Sequence, residues 1–162
     1  MGLKLIAIAG TLALTAPAMS VIASDTFERP NVIRWGATTA ELERDLALLC
    51  PKLLTRKIDP PFLDSVKNEQ LQIDCDGFQF RGRPRHIELV MRDGQLVMVW
   101  LMVDVDESQS MIAAMKQRYG TPTAVNGDYI AFEKQRAAWR HKPAEFLFYS
   151  EALETEVEPW FR

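Results

Sequence analysis

A chain of 162 residues with 19 Lys and Arg against 22 Asp and Glu is long enough for one domain with a sizeable core. Its mild acidity, a formal net charge of −3, excludes nonspecific attraction to nucleic acid or anionic membrane, since both require a cationic face that displaces counterions.

The first residues stand in the order of a secretory signal: Lys4, an apolar run from Leu5 to Ala16, then small residues through Ala18 and Ala23 to Ser24. Residues 1–23 are therefore expected to be removed, with cleavage after Ala23 or Ser24. Gly10, Thr11, Thr15, Pro17 and Ser20 dilute the alternative of a membrane anchor. The mature chain, residues 24–162, keeps 18 basic and 22 acidic side chains and is expected in the periplasm or secreted, with no stable membrane insertion after cleavage. In an oxidising compartment its even cysteine count reads as a Cys50–Cys75 disulfide. The 24 intervening residues are too many for a C-x-x-C redox or metal pair.

Thr38-Thr39-Ala40-Glu41 has the spacing of a capping box and predicts a helix start, with Leu42, Leu46 and Leu49 as its buried stripe and Pro51 as its stop. Lys52 to Glu69 holds Pro60-Pro61 and little periodicity, which predicts a long loop pinned by the disulfide. Leu71, Ile73 and Cys75 alternate with Gln72 and Asp74 at strand period.

From Arg85 to Val103 two β-rich runs flank Asp93-Gly94, a pair suited to the positive φ angles of a type I′ hairpin turn. An unbulged hairpin sets Met91 opposite Leu96, Leu89 opposite Met98 and Ile87 opposite Trp100, a single apolar face. The second run carries Val97, Val99, Leu101 and Val103 on its other face and is expected to be central in its sheet.

Asp106-Glu107-Ser108-Gln109 is expected to cap a second helix, buried through Met111, Ile112, Met115 and Tyr119 and closed by Gly120 and Pro122. Three strand-like runs follow, Asp128 to Glu133, Arg136 to His141 and Glu145 to Ser150, before an acidic tail ending Pro159-Trp160-Phe161-Arg162. The fold predicted is α+β: two helices packed on antiparallel sheet. The same order also reads as two tandem α-β-β-β units, residues 32–103 and 104–150, and either arrangement accounts for the pattern.

Gly36-Ala37-Thr38-Thr39-Ala40-Glu41-Leu42 resembles the Gly-x-Thr helix start of the small exported helix-plus-sheet proteins grouped with beta-lactamase inhibitor protein and the outer-membrane assembly lipoproteins. The placement of Cys50 and Cys75 is similar to the helix-to-strand bridge within that inhibitor's repeats, although the second half here has no cysteine and the lipoproteins' acylated cysteine is missing. The resemblance implies a noncatalytic domain whose concave sheet grips another protein.

No motif names a reaction. His86 and His141 lack ligand spacing, so neither a metal nor another cofactor is expected. Ser65, Ser108, Ser110 and Ser150 stand outside any Gly-x-Ser-x-Gly elbow, and no phosphate-binding glycine loop occurs. Asp74-Cys75-Asp76 and Asp104-Val105-Asp106-Glu107 cluster acids without the spacing of an EF-hand loop. Arg81-Gly82-Arg83-Pro84-Arg85 is the compact basic feature, and alternation places Arg81, Arg83 and Arg85 on one side as candidates for contact with a partner. The function expected is a noncatalytic binding module for another envelope or secreted protein: an inhibitor, immunity or assembly accessory protein. Two alternatives are a hydrolase using Asp74, Asp76 or Glu88, and a small-ligand carrier with a pocket of Met91, Met98, Trp100 and Met102.

Overall fold

A computed structural model describes residues 27–162, so the expected leader lies outside the described residues. Helix α1, Thr39–Leu46, starts at its capping box: the Glu41 amide donates to Thr38 Oγ1 (3.3 Å) and the Thr38 amide to Glu41 Oε2 (2.8 Å). Leu42 and Leu46 are fully buried. Leu49, expected on the same stripe, is 46% exposed, because the helix ends at Leu46 and the following turn swings it off the buried face.

Lys52–Ile58, expected as loop, is strand β1. It pairs with β2, Gln70–Phe80, at the edge of the sheet, and with no fully buried residue it needs no strong apolar alternation. Its charges, Lys52, Arg56 and Lys57, suit an edge that must not pair with another chain. Only the residues between Ile58 and Gln70 form a loop, and side chains clamp it. Gln70 Oε1 accepts from the Phe62 and Leu63 amides (both 3.1 Å), and the Asp93 carboxylate accepts from the amides of Lys67, Asn68 and Glu69.

Strands β3 (Arg83–Arg92) and β4 (Gln95–Met102) form the expected hairpin, turned by Asp93 at φ 51° and Gly94 at φ 82°. After helix α2, Ser108–Tyr119, come β5 (Ala124–Val125), β6 (Tyr129–Phe132), β7 (Ala137–Arg140) and β8 (Glu145–Tyr149). The eight strands of the described residues make one antiparallel sheet in the order β1-β2-β3-β4-β8-β7-β6-β5. The fold is thus α+β, and β4 is central. Each half supplies a helix and then four strands in a meander; β1 and the short β5 are the two beyond the sequence pattern, and the halves meet at β4 and β8.

Two bulges decide which side chains face which way. In β4, Met91 opposes Leu96 but Val90 opposes Met98, so Val97 is extra and the expected register fails. Leu89 pairs with Val99, Ile87 with Leu101 and Glu88 with Trp100. Met98 and Trp100 therefore sit on the opposite face from Ile87 and Leu89, and Met91 and Met98 belong to different cores. The four residues proposed for a carrier pocket do not line one cavity. In β2 the bulge falls at Gly77, φ 87°, and lets Phe78 and Phe80 join Ile73 and Cys75 on one face.

The first core lies under α1 and α2, where Leu42, Leu46, Met111 and Met115 meet Ile87, Leu89, Phe146 and Phe148. The second lies on the other face, where Leu63 and the short helical turns of Glu151–Leu153, Glu154–Val157 (α3) and Glu158–Phe161 cover Val90, Met98, Leu147 and Tyr149. The C-terminal aromatics dock rather than fray. At α2 the expected side-chain cap is not made: a 3₁₀ turn, Val105–Glu107, precedes the helix, and Glu107 is engaged by Arg85 instead.

Cys50 and Cys75 are bonded, with their Cα atoms 5.4 Å apart, tying the chain after α1 to β2. Replacing both by alanine is expected to lower the unfolding free energy by roughly 3–4 kcal/mol, measured by urea denaturation, as loop closure across 25 positions implies. Gly77→Ala is expected to cost about 1–3 kcal/mol in the same assay, since a Cβ there falls 2.8 Å from Pro51 Cδ at a φ that L side chains avoid.

Candidate functional site

The second face of the sheet is covered at one end only. Beyond the cover, strand pairing builds a strip of polar and aromatic side chains across seven strands. One row runs Leu54, Asp74, Glu88 and Trp100, where each residue is the direct partner of the next, and it ends against the covered Leu147. Beside it Asp76 pairs with Lys52 and His86, and Glu145 pairs with Met102 and Arg140, which in turn faces Tyr129.

On the β1 side the charges are coupled. Asp74 takes Arg56 Nε at 2.8 Å and Gln72 Nε2 at 2.6 Å. Asp76 Oδ1 is hydrogen-bonded to His86 Nδ1, and Asp76 Oδ2 lies 3.6 Å from Lys52 Nζ. The bond to His86, followed by the charges of His86 and Lys52, holds the Asp76 carboxyl below the usual aspartate range. His86 Nε2 points the other way, 3.6 Å from Glu88 Oε1. The structure thus brings Asp74, Asp76 and Glu88 together around one imidazole.

On the β7 side Glu145 is fully buried against the Arg140 guanidinium. Burial pushes its carboxyl up to about 7 against the pull of Arg140, and the charge of Glu88 adds to the rise. Arg140 also stacks 4.2 Å above the Trp100 ring, and Trp160 lies parallel to Trp100 with centroids 6.4 Å apart. Phe62, Trp100, Tyr129, Arg140 and Trp160 line an open pocket of about 400 Å³. Phe62 in the pocket wall, 47% exposed, and Leu54 at the β1 end of the row, 52% exposed, are apolar side chains left in water.

The expected basic motif lies elsewhere. Arg81 and Gly82 form the β2–β3 turn at positive φ, while Arg83 and Arg85 share the side of β3 that faces α2. Both meet Asp104 and Glu107, at 3.2 and 3.5 Å from Arg83 and 3.3 and 2.6 Å from Arg85. Arg85 is only 2% exposed, so it anchors the start of α2 and cannot reach a partner. His141 stands exposed in the turn after β7. The hydroxyls of Ser108 and Ser110 donate to the carbonyls of Val105 and Glu107.

The polar alternation of Gln72 with Asp74, and of His86 with Glu88, was legible; which of these residues would touch depended on the β2–β3 register. The aromatic pocket left no local signal, because its walls come from a loop, three strands and the chain's last turn. The chain matches no protein-family model, no curated protein and no solved structure. Among the described residues, no helix is long and apolar enough to cross a membrane.

Glu145 makes stability depend on pH with a defined sign. Its folded pKa near 7 lies above the ordinary 4.5, so the folded state holds a proton that the unfolded chain releases. This contribution is complete below about pH 4.5 and is lost as pH rises through about 7. Urea unfolding across that range is expected to show a falling component in the native protein that Glu145→Gln removes.

Proposed function

We propose that the chain is an exported, noncatalytic protein-binding module that seats a partner protein on the uncovered strip of its sheet, with an apolar side chain of that partner inserted into the aromatic pocket. The observation that carries this reading is the one-sided cover of the second face, which leaves Leu54, Phe62 and the aromatic pocket in water beside a ladder of charges. Such a patch has the composition of a binding surface, with aromatic anchors at one end and polar groups at the other. A volume of about 400 Å³ accommodates one large side chain. Its walls are held by the sheet and by the stacked Arg140, Trp100 and Trp160, so little ordering is required on binding.

The Cys50–Cys75 bond supports an oxidising location, in the periplasm or outside the cell, and the resemblance to exported inhibitor and assembly proteins points to the same use of a sheet face. The partner is accordingly another envelope or secreted protein. In a pull-down from envelope extract at near-physiological salt, the native module is expected to retain a protein that the double variant Phe62→Ala, Trp160→Ala releases. Retention of the same proteins by both forms, or by neither, overturns the reading.

A further inference from the structure

We propose that Asp74, His86 and Glu88 form a binding site for one first-row transition-metal dication, with zinc as the probe. One donor atom from each of the three residues lies within 4.8 Å of the others. They stand on adjacent strands at neighbouring positions: Asp74 is the direct partner of Glu88, and His86 is two residues from Glu88 on the same face of β3. The sheet therefore fixes their backbones.

The imidazole is oriented for ligation. Asp76 engages Nδ1, which leaves Nε2 as the ring nitrogen directed toward Glu88 and available to an ion, the arrangement in which a carboxylate orients a metal-binding histidine. The Nε2 to Oε1 separation of 3.6 Å is close to the roughly 3.3–3.6 Å between ligands on a tetrahedral ion bound at about 2.0–2.2 Å. An oxygen of the Asp74 carboxylate, within 4.8 Å of both, is the third donor. Arg56 and Gln72 already hold that carboxylate in place, one on each oxygen, and leave lone pairs for the ion.

One imidazole with two carboxylates selects a transition metal over calcium or magnesium, which take oxygen ligands in larger number. All three residues are half-buried, so an ion has access from solvent and one coordination position stays open. Sequence spacing could not reveal the set, because its members are joined by strand pairing rather than by a short motif.

The test is calorimetric titration of the disulfide-bonded, metal-stripped protein with zinc chloride alone, without any partner, so that its outcome is separate from that of the docking reading. The expected result is one zinc ion per chain, absent in His86→Ala, weakened about 10–100-fold in Asp76→Asn and unchanged in His141→Ala. Calcium and magnesium are expected not to compete. Absence of saturable zinc binding, or binding that survives His86→Ala in a folded protein, overturns the proposal. Should His86→Ala fail to fold, the ring-proton NMR signals of His86 in the native protein decide: they move on zinc addition if the site exists and stay fixed if it does not.

Discussion

Strands β4 and β8 have almost no polar side. Val97, Met98, Trp100, Leu147 and Tyr149 face one way and Val99, Leu101, Phe146 and Phe148 the other, all with less than a tenth of their surface in water. Leaving such side chains wet costs roughly 1.5–3 kcal/mol each, so the middle of the sheet needs cover on both faces. The helices supply it on one face. On the other, the described residues supply a loop and a few short helical turns, and these do not fold by themselves. The clamps on the loop follow from that shortage: the Glu156 carboxylate accepts from the Asp64 amide and the Ser65 hydroxyl, joining loop to tail, while Gln70 and Asp93 join loop to sheet.

Because that second cover is short, it ends before the sheet does, and what it leaves uncovered is the candidate site. The strip is therefore a by-product of how the second core is closed, and its two ends differ in character. Toward β1 it is a hydrogen-bonded set of carboxylates around His86; toward β7 it is a stacked column of Arg140, Trp100 and Trp160. Strand pairing holds both to the same frame, and the charge of Glu88 at one end bears on Glu145 at the other.

Local chemistry was the legible part of the sequence. The capping box of α1, the Asp93-Gly94 turn, the C-terminal glycine of α2, the three later strands and the pairing of the cysteines all rest on signals a few residues long or on simple counting. What stayed hidden depended on distance. An edge strand such as β1 buries no residue fully and so shows no strong alternation, and an extra residue such as Val97 carries no composition of its own. Missing that one residue was enough to assign Met98 and Trp100 to the wrong side. The site suffered in the same way: the acids and His86 were readable as polar, but their convergence, and the withdrawal of Arg85 into an internal ion pair, are products of register.

The bulges also govern where this chain tolerates a change of length. Removing Val97 would straighten β4 yet keep every later residue of the strand opposite its present neighbour, at the loss of one valine and of the carbonyl that receives the Ser150 amide at 2.8 Å. Removing Val99 or Leu101 would turn all that follows inside out, sending residues built for the helical side into the face beneath the tail. Insertions and deletions among natural variants of this fold should therefore gather at the two bulges and at the turns, and be scarce elsewhere in the sheet.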